Sequence, residues 1–110
     1  MIDNTVFSQL EQDVGPELAK KLLQVYVTES KKVIDNLIDP TKQQEIEINA
    51  HSLKSSSLSY GALELGKLCG QIEVKANERQ FDSQLSNLIS QAEHQSITTF
   101  KHAERLINGS

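Results

Sequence analysis

Among the 110 residues of the chain, His51, Lys54 and Ser55 are the side chains whose types and spacing best suit chemistry. If this stretch is helical, Lys54 at i+3 and Ser55 at i+4 lie beside His51 on one face, and Leu58 at i+7 continues that face. An imidazole nitrogen can attack phosphorus, an ammonium can neutralise phosphoryl oxygens, and a small neighbour lets a second protein come close. An ordinary solvated histidine beside an ordinary lysine satisfies the same His-x-x-Lys spacing, and spacing alone does not separate the two readings. His94 and His102 are too far apart to chelate one ion and read as surface residues. Ser55-Ser56-Ser57 has no accompanying base or oxyanion hole and reads as small-residue packing and helix surface. Cys69 is the only cysteine, so it can form no intramolecular disulfide or Cys-based zinc site and reads as a small buried hydrophobe.

Composition narrows the function classes. Apolar residues make up 37% of the chain, with three Phe, two Tyr and no Trp, so one core must be filled by Leu, Ile, Val and Ala. A length of 110 residues suits one domain, expected over 1–110. No run approaches the roughly 18 consecutive apolar residues of a membrane span, and MIDNTVFSQL does not read as a signal peptide. The chain is therefore expected to be soluble and cytoplasmic, with no membrane partner. A formal charge of −4 argues against nucleic acid, whose non-specific binding rests on basic patches. No Walker loop, dinucleotide fingerprint or Gly-x-Ser-x-Gly elbow is present.

The elements that must position His51 read as helices. A short one is expected from about Thr5 to Asp13, capped by Asn4, with Phe7 and Leu10 inward. Gly15-Pro16 ends it and starts a second, Pro16 to about Ile38, with Leu18, Leu22, Val25, Tyr26, Val33 and Leu37 on its stripe. Asp39-Pro40 stops that helix. A third spans about Thr41 to Ser59, where Ile46, Ala50, Leu53 and Ser57 share a narrow buried arc and His51 sits roughly 140° from its centre. After Tyr60-Gly61, Ala62 to about Ala76 turns Leu65, Leu68, Cys69, Ile72 and Ala76 inward. Gly66 and Gly70, one turn apart on it, each cost roughly 1 kcal/mol of helix propensity. They suggest close packing against a neighbouring helix, or a thin spot near His51 for partner docking. A joint at Asn77-Glu78-Arg79-Gln80 leads to a long last helix with Phe81, Leu85, Leu88, Ala92, Thr99, Ala103 and Leu106 inward. The pattern predicts an all-α, antiparallel up-down four-helix bundle with a short extra N-terminal helix.

The stretch from Ala50 to Glu73, AHSLKSSSLSYGALELGKLCGQIE, closely resembles the signature of the histidine-containing phosphotransfer (HPt) family. The shared features are Ala50-His51-x-Leu53-Lys54, the small residues that follow, Gly61-Ala62, then Leu68-Cys69 and Ile72-Glu73. The upstream half, from Phe7 through Gly15, Leu22-Leu23 and Tyr26 to Leu37, resembles the family's first two helices. The resemblance implies a four-helix bundle, phosphorylation of His51, a phosphoryl-stabilising Lys54, and docking with receiver domains that carry a phosphorylatable aspartate. Ser55 stands where the family usually has glycine. Glu73 matches a position where some members hydrogen-bond the histidine, which would hold Nδ1–H and leave Nε2 free.

These readings converge on a monomeric phosphorelay intermediate. It would accept a phosphoryl group on His51 from a receiver aspartate and pass it to another, serving response regulators or a hybrid sensor histidine kinase. It would need no cofactor of its own, with Mg²⁺ held by the receiver, and no autokinase activity. Ser55, Leu58 and Ile48 are expected to contact the receiver; packing against the short N-terminal helix through Phe7 or Leu10 is the alternative for Ile48 and Leu58. The competing functional reading is a helical adaptor that binds a receiver or sensor kinase without carrying phosphate, and a purely structural bundle is a further rival. The trailing Asn108-Gly109-Ser110 fits a free-standing chain or part of a hybrid kinase equally well.

Overall fold

In the computed structural model, which describes residues 1–109, Asp3 and not Asn4 caps the first helix. Its carboxylate accepts the backbone N–H groups of Thr5 and Val6 at 2.9 and 3.1 Å, satisfying donors that have no partner within the helix. Asn4 is already the first residue of α1, Asn4–Val14. Gly15 ends α1 at φ 91° and its N–H bonds the Glu11 carbonyl at 2.8 Å. Pro16 then starts α2, Pro16–Ile38, over the predicted range.

The buried line of α2 is Ala19, Leu23, Tyr26, Val27, Ser30, Ile34 and Leu37. Leu18 and Val25, expected inside, are 46% and 56% exposed. Apolar residues occur as the adjacent pairs Leu22-Leu23, Tyr26-Val27 and Val33-Ile34. A pattern of pairs leaves the centre of the stripe uncertain by one residue, about 100° of rotation. Packing selected the second member at Leu23 and Ile34.

Asp39 leaves the helical region before Pro40, as a residue preceding proline is constrained to do. Its carboxylate accepts both the N–H and the hydroxyl of Thr41, at 2.9 and 2.7 Å. Residues Pro40–Glu45 form a 3-10 turn, broken at Lys42 (φ −116°, ψ 33°). The third helix, α3, therefore starts at Ile46 and runs to Ser59, later than the sequence pattern suggested. Helix α4 covers Leu63–Asn77 and α5 covers Ser83–Ile107. Phe81, expected in the core, belongs to the connection and is 44% exposed. That connection is clasped by Lys75, whose ammonium donates to Gln80, Asp82 and Gln84 at 3.2, 3.1 and 3.1 Å. Asp82 caps α5 by accepting the Leu85 N–H at 3.0 Å.

Helices α2 to α5 pack in sequence order, and α5 closes the ring against α2, while α1 lies on α2. Short connections between packed neighbours make this an antiparallel four-helix bundle with one accessory helix. It is one helix long and two helices wide, 42 × 18 × 17 Å. The core also contains Ile2 and Phe100, which the periodicity reading passed over. Ile2 is held by the His102 ring, whose Nδ1 accepts its N–H at 2.8 Å; His102 is thus a half-buried acceptor and not a free surface residue. The next residue, Asp3, donates to the Gly61 carbonyl at 2.7 Å. At Gly61 (φ 84°) a Cβ would lie 3.1 Å from the Asp3 carbonyl oxygen, so this corner needs glycine for both conformation and space.

Candidate functional site

The rotation of α3 about its axis decides what His51 can do. Ile46, Ala50, Leu53 and Ser57 are all buried, as the narrow arc required. The arc ends on a polar lock: Tyr26 and Ser57 share a buried hydroxyl–hydroxyl hydrogen bond of 2.8 Å. Burial pushes the Tyr26 phenol up to about 12, so it stays protonated and available to that bond. Tyr60, just past α3, stacks on the Tyr26 ring with centroids 5.1 Å apart. With this face pinned to α2, the opposite side of α3 must face solvent, and the His51 side chain is 60% exposed.

Helix α4 supplies the partner. Glu73 Oε2 lies 2.6 Å from His51 Nδ1, and Glu73 Oε1 accepts from the Lys54 ammonium at 2.7 Å. One carboxylate thus serves both side chains, an oxygen to each. The Lys54 hydrogen bond is the leading cause that holds the Glu73 carboxyl below the usual glutamate range, with the His51 bond adding to it and partial burial opposing. An ionised carboxylate can only accept, so His51 Nδ1 carries the proton. The lone pair is then on Nε2, on the exposed imidazole. Chemically this is an oriented nucleophile beside a cation that a carboxylate already holds.

The remaining site residues fall on two flanks of His51. On the α1 side an open depression is lined by Leu10, His51, Ser52, Ser55, Ser56, Ser59 and Tyr60. Ser55 is therefore beside His51 as expected; Leu10, Ser52, Ser59 and Tyr60 were not foreseen there. The positions at i+1, i+4 and i+8 from His51 share this side of a helix, and that spacing was the available signal. Ser56 and Ser59 turn their hydroxyls back to the carbonyls of Ser52 and Ser55, at 3.1 and 3.0 Å, which leaves the depression lined by self-satisfied small groups. Ile48 is 67% exposed. On the other flank Leu58 is 46% exposed but its end rests over Gly66 of α4. Its end packs on α4, a partner the sequence reading had not named for it, and Gly66 accordingly leaves the room that the Leu58 side chain fills. Cys69 is buried, and its thiol is pushed up to about 12 by burial, which leaves it chemically quiet.

Among the described residues no helix is long and apolar enough to cross a membrane, and no group of three or more His, Cys, Asp or Glu side chains is placed to hold a metal ion. The family model described as "Hpt domain" matches residues 21–95, a span that contains His51, Lys54 and Glu73. A comparison with curated proteins finds no match. Among solved structures, the chain is similar to the crystal structure of histidine-containing phosphotransfer protein B (HptB) from Pseudomonas aeruginosa PAO1. The TM-score is 0.88 at 21% identity, covering 99% of this chain and 96% of that one. At that identity the likeness establishes the fold alone.

Proposed function

This chain belongs to the Hpt domain family, and from that premise we propose that His51 is its phosphoryl carrier between receiver aspartates. The lone pair on Nε2 attacks the phosphorus of a receiver's aspartyl phosphate. A P–N bond forms, the P–O bond to the aspartate breaks, and the carboxylate leaves with that electron pair. Delivery to a second receiver is the reverse step, and exchange between an acyl phosphate and a phosphoramidate can run either way. The phosphorylated ring keeps its proton on Nδ1 and gains positive charge, which the Glu73 carboxylate stabilises across 2.6 Å. Lys54 supplies a cation for the phosphoryl oxygens. Mg²⁺ and the acidic pocket belong to the receiver.

The observation that carries this reading is the fixed Nδ1 of an otherwise exposed His51 imidazole. A merely solvated histidine has no reason to share a carboxylate with Lys54 across two helices. In this reading the protein acts as a cytoplasmic monomer without cofactor or nucleotide site, and its partners are receiver domains of response regulators or of a hybrid sensor kinase. The test is incubation with a phosphorylated receiver and Mg²⁺. One acid-labile, base-stable phosphoryl group should appear on the chain, His51→Gln should abolish it, and ATP alone should give none. Label that persists in His51→Gln, or that moves to His94 or His102, refutes the assignment. Receiver binding without any label would favour a phosphate-free adaptor.

A further inference from the structure

We infer that Gly70 is a positioning residue: its bare backbone is the seat along which the aliphatic stem of Lys54 lies, and that seat delivers the Lys54 ammonium to Glu73 beside His51. The inference rests on the reading of His51 and Lys54 as the transfer site. Helices α3 and α4 run antiparallel, and their facing residues pair in one register. His51 meets Glu73 through 2.6 Å, Lys54 crosses Gly70, and Leu58 crosses Gly66. At the last rung a Cβ on Gly66 would lie 2.7 Å from Leu58 Cδ2, so a side chain there would displace the end of Leu58. At the middle rung a Cβ on Gly70 would lie 3.4 Å from Lys54 Cδ. That is ordinary contact, so alanine fits. A Cγ turned towards α3 enters the space of the lysine stem.

The consequence is geometric. The Lys54 side chain is 32% exposed, its methylenes laid along α4 and its ammonium at the rim, the usual way a long cation covers apolar surface. Glu73 is one turn beyond Gly70 on the same face of α4. A stem lying flat over residue 70 therefore ends at residue 73, and a side chain at 70 that turns towards α3 takes that seat away. Glycine is a poor helix former in the interior of α4, and the Lys54 stem lies against it on the α3 side.

The test reads the Glu73 carboxyl by NMR titration, which needs no partner and no phosphoryl group. Lys54→Ala should raise its midpoint towards the usual glutamate range. Gly70→Leu and Gly70→Gln should raise it similarly, Gly70→Ala should keep the parent value, and Lys54→Ala/Gly70→Leu should go no further than Lys54→Ala. The phosphohistidine half-life should shorten in Gly70→Leu by the same factor as in Lys54→Ala, with no additional loss in the double variant. Circular dichroism melts on each sample confirm that the bundle is intact. A parent-like Glu73 midpoint in folded Gly70→Leu or Gly70→Gln overturns the inference. So does failure of both larger variants to fold, because Gly70 would then serve the bundle and not the lysine. If the parent takes no phosphoryl group, the transfer reading falls, while the titration still decides whether Gly70 seats Lys54.

Discussion

A carboxylate that serves two side chains makes each of them sensitive to the other. Glu73 holds His51 by one oxygen and Lys54 by the other, so removing the ammonium leaves the imidazole oriented but lowers the positive charge near Nε2. Lys54→Ala should slow transfer or shorten the phosphohistidine lifetime by about tenfold. That is less than the roughly 10²–10³ lost with an enclosed oxyanion donor, because water shares the charge here. The bundle should change stability by no more than about 1 kcal/mol, as expected of a partly exposed pair. Rapid-quench kinetics in both directions check this, and unchanged rates would make Lys54 a bystander. Ser55 lines the depression next to His51 and carries a hydroxymethyl group that a docked receiver must accommodate. Ser55→Gly should transfer at least as fast as the parent, and slower transfer at an unchanged melting temperature would show that the hydroxyl contributes a contact.

At the scale of elements, the site depends on the rotation of α3, and the Tyr26–Ser57 bond between α2 and α3 is its polar pin. Tyr26→Phe would leave the fully buried Ser57 hydroxyl without that partner, at a cost of about 1–3 kcal/mol. Tyr26→Phe/Ser57→Ala should recover part of the loss, because the orphaned Ser57 hydroxyl is gone. Urea unfolding of the three variants measures it, and a double variant worse than Tyr26→Phe would contradict the argument. The two flanks of α3 call for different docking probes. Ile48 is 67% exposed with little to lose on folding, so Ile48→Asp should weaken receiver binding at constant melting temperature. Leu58→Asp should weaken binding as well, and should also cost about 1 kcal/mol because its end is packed over Gly66. Titration calorimetry alongside thermal melts separates the two effects, and parent affinity in Ile48→Asp would move the docking face elsewhere.

Across the whole molecule, the segment before α1 ties the last helix to the α3–α4 corner, through His102 to Ile2 and through Asp3 to Gly61. The accepting Nδ1 of His102 must be unprotonated. Burial, and then the nearby Met1 ammonium and the Arg105 guanidinium, hold His102 below the ordinary histidine value. Its neutral form therefore contributes stability that is complete above about pH 6.5. That contribution is lost as the pH falls through the lowered value of the folded chain. Amide exchange at Ile2 and Asp3 should accelerate relative to the α2–α5 core on acidification. His102→Gln should remove that pH dependence. Exchange at Ile2 with the same pH dependence in the parent and in His102→Gln would show that the ring does not hold the segment.

Local pattern determined the elements of this protein because their signals are local. Gly15-Pro16 and Asp39-Pro40 set both ends of α2, and the spacing of Ile46, Ala50, Leu53 and Ser57 put His51 on the outside of α3 with Lys54 beside it. The family signature pointed to Glu73 as a possible partner of the ring. Tertiary structure decided whatever depended on two elements meeting. Adjacent apolar pairs in α2 could turn either member inward until α2 packed in the bundle with Leu23 and Ile34 buried. Phe81 looked like core until the Lys75 clasp and the Asp82 cap placed it in a connection. His102 looked solvated until a backbone N–H from the far end of the chain reached it. The antiparallel register of α3 and α4 brought the 51, 54 and 58 positions over 73, 70 and 66. Sequence spacing constrains neighbours along one helix, but a hydrogen bond between helices exists only once packing has chosen their rotation and register.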